Sequence, residues 1–122
     1  MDVFAPCALG SVLNGAPIST LKCRLIAGAA NNQLSSTADA QGLHERGVHY
    51  LPGYVVNAGD IISCAREYEG TGDSAGVEHE VQRIADRVSD LIEKSRATGK
   101  SIAEVAYAQA RARIGFPVQG NQ

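Results

Sequence analysis

Hydrophobic positions change their rhythm about halfway along the chain. In the first half they come as short apolar runs, Val3-Phe4-Ala5, Leu25-Ile26-Ala27 and Val48 to Leu51, each bounded by turn-forming residues. Such runs read as short buried strands. Pro6 ends the first, because it has no N–H to give a ladder. Asn14-Gly15 followed by Pro17 marks a turn, and Ile18 to Leu21 suits one helical turn. Ser36 or Thr37 can cap a helix running to about Arg46, with Gly47 in the left-handed closing position. Tyr54-Val55-Val56 then leads into Asn57-Ala58-Gly59. Strand and helix in alternation favour a parallel sheet.

Beyond Asn57 the spacing turns helical. Ala58, Ile61, Ile62, Ala65 and Tyr68 recur every three or four residues, predicting a helix from Asn57 to about Glu69, broken by Gly70-Thr71-Gly72. Val77, Val81, Ile84, Val88, Leu91 and Ile92 trace one face of a second helix, ended by Gly99. That stripe is expected to pack on the domain's own sheet. Ser101-Ile102-Ala103-Glu104 is a capping box that opens a last helix to about Arg113. The expected organisation is one domain over 1–122: a strand-and-loop half (1–56), a helical half (57–113) and a flexible tail (114–122).

Charge sharpens this division. Residues 1–60 carry only Lys22, Arg24, Arg46, Asp2, Asp39, Glu45 and Asp60, and the remaining charged side chains lie beyond them. The front half therefore reads as buried material and the back half as solvated amphipathic helix. A chain of 122 residues has room for one domain, and 44% hydrophobic with 20% charged residues excludes a disordered one. A net charge of −2 gives nucleic acid little to attract. No apolar run approaches the length of a membrane span, and no signal peptide is visible, so neither a nucleic-acid nor a membrane partner is expected. Three cysteines without paired spacing suit a reducing, cytoplasmic compartment better than a disulfide framework or a zinc site.

Candidate chemistry lies in the loops after the strands. Pro6-Cys7-Ala8-Leu9-Gly10, Ala30-Asn31-Asn32-Gln33-Leu34 and Asn57-Ala58-Gly59-Asp60 are small-residue or amide-rich. In an open parallel sheet the loops at the carboxyl ends lie together and bind ligands. An amide offers both a donor and an acceptor to a carboxamide or carboxylate. Other features read as ordinary surface. His79-Glu80 has Arg83 where a zinc motif needs a second histidine. His44 and His49 lack partners at metal spacing, and Cys7 lacks a basic neighbour.

The segments Asp2 to Gly10, Ile26 to Leu34 and Tyr54 to Gly59, with His44-Glu45-Arg46-Gly47 and the two closing helices, together resemble part of a known family. The resemblance is to the nucleotide-binding domain of the leucine, valine and phenylalanine dehydrogenases, within the glutamate dehydrogenase-like superfamily. It implies an α/β fold, the second half of a Rossmann-like domain, with about three mostly parallel strands and helices followed by two C-terminal helices. It also implies an NAD-dependent oxidoreductase that deaminates an apolar L-amino acid to the 2-oxo acid and ammonia.

Residue by residue, Cys7 and Ala8 match the loop that lies along the dinucleotide. Asn31 and Asn32 match an amide pair shared between the nicotinamide and the substrate carboxylate, and Asn57 matches the amide at the nicotinamide end. The resemblance thus implies Cys7, Ala8, Asn31 and Asn57 for the cofactor NAD, and Asn32, Ile61 and Cys64 for the substrate, the last two lining its side-chain pocket. Where the family has Asn-Ala-Gly-Gly, this chain has Asp60 after Gly59. A carboxylate there favours the first turn of the following helix, and equally opposes a carboxylate-bearing substrate.

The sequence contains no G-x-G-x-x-G, and Lys22, Lys94 and Lys100 do not match the family's catalytic lysines. The chain alone is therefore expected to be inactive, with the N-terminal part of such an enzyme as a missing partner. The alternative is a stand-alone, non-catalytic relic that dimerises or binds nucleotide weakly. The first strand would leave an uncovered edge, so a homodimer through that edge or through exchanged helices is expected.

Overall fold

The computed structural model describes residues 1–115. Three two-residue strands, β1 (Val3–Phe4), β2 (Leu25–Ile26) and β3 (His49–Tyr50), form a parallel sheet in the order β1-β2-β3. Val3 pairs with Leu25 and Phe4 with Ile26, and the same two β2 residues pair with His49 and Tyr50. Among the described residues there are six helices: α1 (Gly15–Thr20), α2 (Thr37–Glu45), α3 (Gly53–Val56), α4 (Gly59–Tyr68), α5 (Ser74–Thr98) and α6 (Ile102–Arg113). The fold is therefore α/β with parallel strands, as expected.

Alternation along the strands builds two hydrophobic layers. Phe4, Ile26 and Tyr50 join Leu13, Ile18, Cys23, Leu43 and Val48 on one side. Leu25, Ala27 and Leu51 join Leu91, Ile102, Val105 and Ala106 on the other. Ile26 and Leu43 are completely shielded from solvent.

Local chemistry sets the helix ends. Ser36, rather than Thr37, caps α2, and Ser36 and Asp39 exchange reciprocal hydrogen bonds. Ser101 and Glu104 do the same for α6. Asp73 caps α5 through the Gly76 N–H. Gly47 and Gly99 adopt φ of 73° and 69° after α2 and α5, a region that suits glycine because in other residues the Cβ crowds the backbone carbonyl oxygen there. His44 Nε2–H donates to the Gly99 carbonyl at 3.0 Å, so this histidine docks the α5–α6 corner onto α2.

Two expectations need correction. Residues 53–56, expected in the strand-and-loop half, are helical, while the helix expected from Asn57 to about Glu69 is present as α4, Gly59–Tyr68. Pro52 sets its own φ at −58°, Val55 and Val56 N–H donate back to the Pro52 carbonyl, and Asn57 closes α3 as its C-cap. This turn overrides the strand preference of Tyr54-Val55-Val56. The apolar stripe of α5, expected on the sheet, reaches the layer beside it only through Val88, Leu91 and Ile92. Its amino-terminal turns run beside α4 instead. A Cβ built on Gly59 would lie 4.0 Å from Val81 Cγ2, and Arg66 of α4 reaches Glu80 of α5 at 3.5 Å. Ile114 is the C-cap of α6. Apart from Ile114 and Gly115, the tail expected over 114–122 lies outside the described residues.

Candidate functional site

The segments after β1 and β2 are joined side by side at the carboxyl edge of the sheet. Ala30 N–H donates to the Pro6 carbonyl at 3.0 Å. Farther out, Ser11 N–H donates to Asn32 O at 2.7 Å, Leu13 N–H to Gln33 O at 3.0 Å, and Ser35 N–H to Leu13 O at 3.0 Å. The approach is close enough to dictate a glycine: a Cβ on Gly28 would lie 2.1 Å from the Pro6 carbonyl oxygen. Asn32 (φ 48°) and Ser11 (φ 56°) both take left-handed backbone where the two segments meet. Asparagine enters that region more readily than most residues.

Asn57 brings in the third segment. Its Nδ2 donates to the Ala29 carbonyl at 3.1 Å and to Asn31 Oδ1 at 2.8 Å. Asn57 sits one helical turn beyond the end of the third strand, because α3 intervenes, and not in a loop directly after it. With both Nδ2 hydrogens engaged, Asn57 Oδ1 and Asn31 Nδ2 make no hydrogen bond among the described residues. The pair thus presents one acceptor and one donor, the complement of a primary carboxamide. Cys7 joins the cluster through its Sγ, 3.5 Å from the Ala29 N–H. Cys7, Ala8, Asn31 and Asn32 are exposed and Asn57 is half-buried, which leaves a ligand room to approach.

Ile61 and Cys64 are placed differently. They lie one turn apart on α4, a helix with no buried residue, and no hydrogen bond links them to the amide cluster. Ile61 is 68% exposed and Tyr68, farther along the helix, 94%. Asp60 occupies the exposed first turn of α4, where its charge suits the helix amino end, while Ala58 at the N-cap supplies no side-chain bond.

Sequence reasoning passed over Gln33. It is 1% exposed, and its Nε2 donates to the carbonyls of Gly28 at 2.7 Å and Ala30 at 2.8 Å. Its Oε1 is buried without a partner, at a cost of about 1–3 kcal/mol for the lost hydration. Glutamine between Asn32 and an apolar Leu34 looks like loop, and no local signal marks it as buried.

Elsewhere the half-buried Glu80 gathers Arg66, Arg83 and Arg87 at 3.5, 3.3 and 3.7 Å, while His79 beside it is exposed. Among the described residues no group of three or more His, Cys, Asp or Glu could hold a metal, and no helix is long and apolar enough to cross a membrane. All three cysteines are free.

Three parallel strands flanked by helices, with exposed loops converging at their carboxyl ends, define a Rossmann-like α/β type of domain. Comparison with known proteins narrows this class. The family profile Glutamate/Leucine/Phenylalanine/Valine dehydrogenase matches residues 1–117. A leucine dehydrogenase from Thermoactinomyces intermedius is 38% identical over 113 residues, covering 93% of this chain and 31% of that protein. A valine dehydrogenase from Streptomyces albus is 37% identical over 120 residues, again covering 93% of this chain and 33% of the relative. The crystal structure of L-tryptophan dehydrogenase from Nostoc punctiforme superposes with a TM-score of 0.87 at 38% identity, over 93% of this chain and 34% of that one. The chain belongs to the Glutamate/Leucine/Phenylalanine/Valine dehydrogenase family. It spans about a third of the length of the relatives it matches.

Proposed function

We propose that the chain forms the nicotinamide-side wall of the dinucleotide cleft of an NAD-dependent amino-acid dehydrogenase, one that deaminates an apolar L-amino acid oxidatively to its 2-oxo acid and ammonia. The observation that carries this reading is the Asn31–Asn57 amide pair, 2.8 Å apart, with one acceptor and one donor left over. Those two atoms suit the carboxamide of a nicotinamide ring. Cys7 and Ala8 then lie along the dinucleotide, and Asn32 faces the substrate carboxylate. Ile61 and Cys64, exposed on α4, form one wall of an apolar side-chain pocket whose other wall comes from outside this chain. When bound, the cofactor supplies the hydride acceptor; what these residues do is orient its ring.

The chain by itself has no G-x-G-x-x-G to anchor a pyrophosphate and no lysine placed for proton handling. It is inactive in this reading, and its free cysteines suit a reducing, cytoplasmic compartment. NADH titration of the labelled chain, followed by NMR, tests the site. The side-chain amides of Asn31 and Asn57 shift on addition, and Asn57→Ala weakens binding about tenfold. If those resonances ignore NADH at saturating concentration, the site has been misread. Turnover of leucine and NAD by the purified chain would overturn its inactivity.

One observation favours a second, non-catalytic reading, a self-associating relic. The sheet ends at β1, whose Val3 is 49% exposed, beside Met1 at 75%. An edge with one free ladder side and apolar side chains pairs with another strand. That strand comes from the rest of the enzyme or from a second copy, giving a homodimer by edge pairing or by exchange of helices. Sedimentation velocity at micromolar concentration distinguishes them: a dimer supports self-pairing, and a compact monomer rules it out.

A further inference from the structure

Two side-chain amides from distant parts of the chain claim three consecutive carbonyls of the segment after β2. Gln33 Nε2 donates to Gly28 O at 2.7 Å and to Ala30 O at 2.8 Å. Asn57 Nδ2 takes the carbonyl between them, Ala29 O, at 3.1 Å. Gly53 keeps the space open, since a Cβ there would lie 2.9 Å from Ala30 O, 3.5 Å from Gln33 Nε2 and 3.6 Å from Asn57 Nδ2. A leucine of similar volume would avoid burying the unpartnered Oε1 but would leave the Gly28 and Ala30 carbonyls without their side-chain donor. What the amide adds is two donors held at fixed positions, and both are spent on the backbone that carries Ala29 and Asn31.

We propose that Gln33 is the positioning residue of the amide pair. By fixing the Gly28 and Ala30 carbonyls it aims the Ala29 carbonyl at Asn57 and sets Asn31 beside it. Asn57 then spends both Nδ2 hydrogens inward and keeps Oδ1 for a ligand carboxamide. The ligand half of this inference rests on the nicotinamide reading above; the geometric half does not. Gln33 touches neither cofactor nor substrate and acts only through the backbone.

The test uses the full chain, isotope-labelled, with Gln33→Leu and Gln33→Glu and with Asn57→Asp to assign the Asn57 amide. In the parent chain the two Asn57 Nδ2 protons are well separated in chemical shift and exchange slowly. In Gln33→Leu their separation collapses and exchange quickens at least about tenfold, with unchanged far-UV circular dichroism and Leu43 methyl shifts. In Gln33→Glu a protonated carboxyl still donates one hydrogen bond, so the separation partly returns at low pH. It is lost as pH rises through that carboxyl's titration, a rescue that a packing effect does not reproduce. An unaltered Asn57 amide in folded Gln33→Leu overturns the proposal. If that variant does not fold, the Gln33→Glu pH series decides, and a pH-independent Asn57 amide overturns it equally. NADH titration separates the two halves. Tenfold weaker binding in the variants supports the ligand half. A parent chain whose Asn57 ignores NADH overturns the cofactor reading while the proton spectra still judge Gln33.

Discussion

The sheet half and the outer helical layer are held together by different physics. Around β1–β3, contact is tight, buried and partly backbone: the loops after β1 and β2 hydrogen-bond directly, and Leu13, Ile26, Leu43 and Gln33 are almost fully enclosed. Around α4 and the amino-terminal turns of α5, no side chain of α4 is buried, and of the ion pairs of Glu80 the one with Arg66 spans the two helices while those with Arg83 and Arg87 stay within α5. The residues proposed for the cofactor sit on the first, closely hydrogen-bonded region. Those proposed for the substrate side chain, Ile61 and Cys64, sit on the second. A site that must orient one ring invariably gains from the former, whereas a pocket wall facing outward from α4 can vary with little cost to the fold.

The contrast can be broken most severely at Gly28. Gly28→Ala forces a Cβ to within 2.1 Å of the Pro6 carbonyl oxygen, where backbone must move, so denaturant unfolding should lose upwards of about 3 kcal/mol. Loss below about 1 kcal/mol would mean that the two loops are less closely bound than they look. Leu43→Ala removes a wholly buried side chain and should cost about 2–5 kcal/mol in the same measurement.

Alkali gives a finer test. Burial raises the Tyr50 phenol above its usual range, partly offset by a hydrogen bond with the Gly53 backbone. A raised native pKa leaves stability intact below the unfolded value near 10 and erodes it as pH climbs above that value, because the unfolded chain then ionises first. The thermal midpoint should therefore fall above about pH 10, and Tyr50→Phe should flatten that fall. The smallest effect belongs to the helical layer. Glu80→Gln removes the shared partner of three arginines, yet such partly exposed pairs remain within reach of solvent and are weak, so the loss should stay within about 1 kcal/mol and shrink in high salt. A larger, salt-insensitive loss would place Glu80 among the structural residues of the fold.

Much of the fold was legible because it is written in local chemistry. Ser36, Gly47, Gly99 and the Ser101–Glu104 box act on backbone groups within a few residues, and each appears where spacing places it. The amides Asn31 and Asn57 were legible as candidates through their resemblance to the family, and they do meet. The short helix α3 was not legible, because Tyr54-Val55-Val56 favours extended backbone by its residue types. Only the Pro52-led turn, closed at Asn57, winds it. The stripe of α5 likewise shows that a face is apolar but not which neighbour covers it.

By itself, the sequence determined the class of fold, the order of its elements, most of their ends and the family, because capping, strand alternation and motif order act over short distances. Tertiary structure alone decided that Gln33 is buried, that Gly28 must lack a side chain, and that the stripe of α5 is divided between a helix and a sheet layer. Those outcomes depend on which distant backbone arrives beside a residue. No pattern along the chain specifies a carbonyl that lies twenty or more positions away in sequence and ~3 Å away in space.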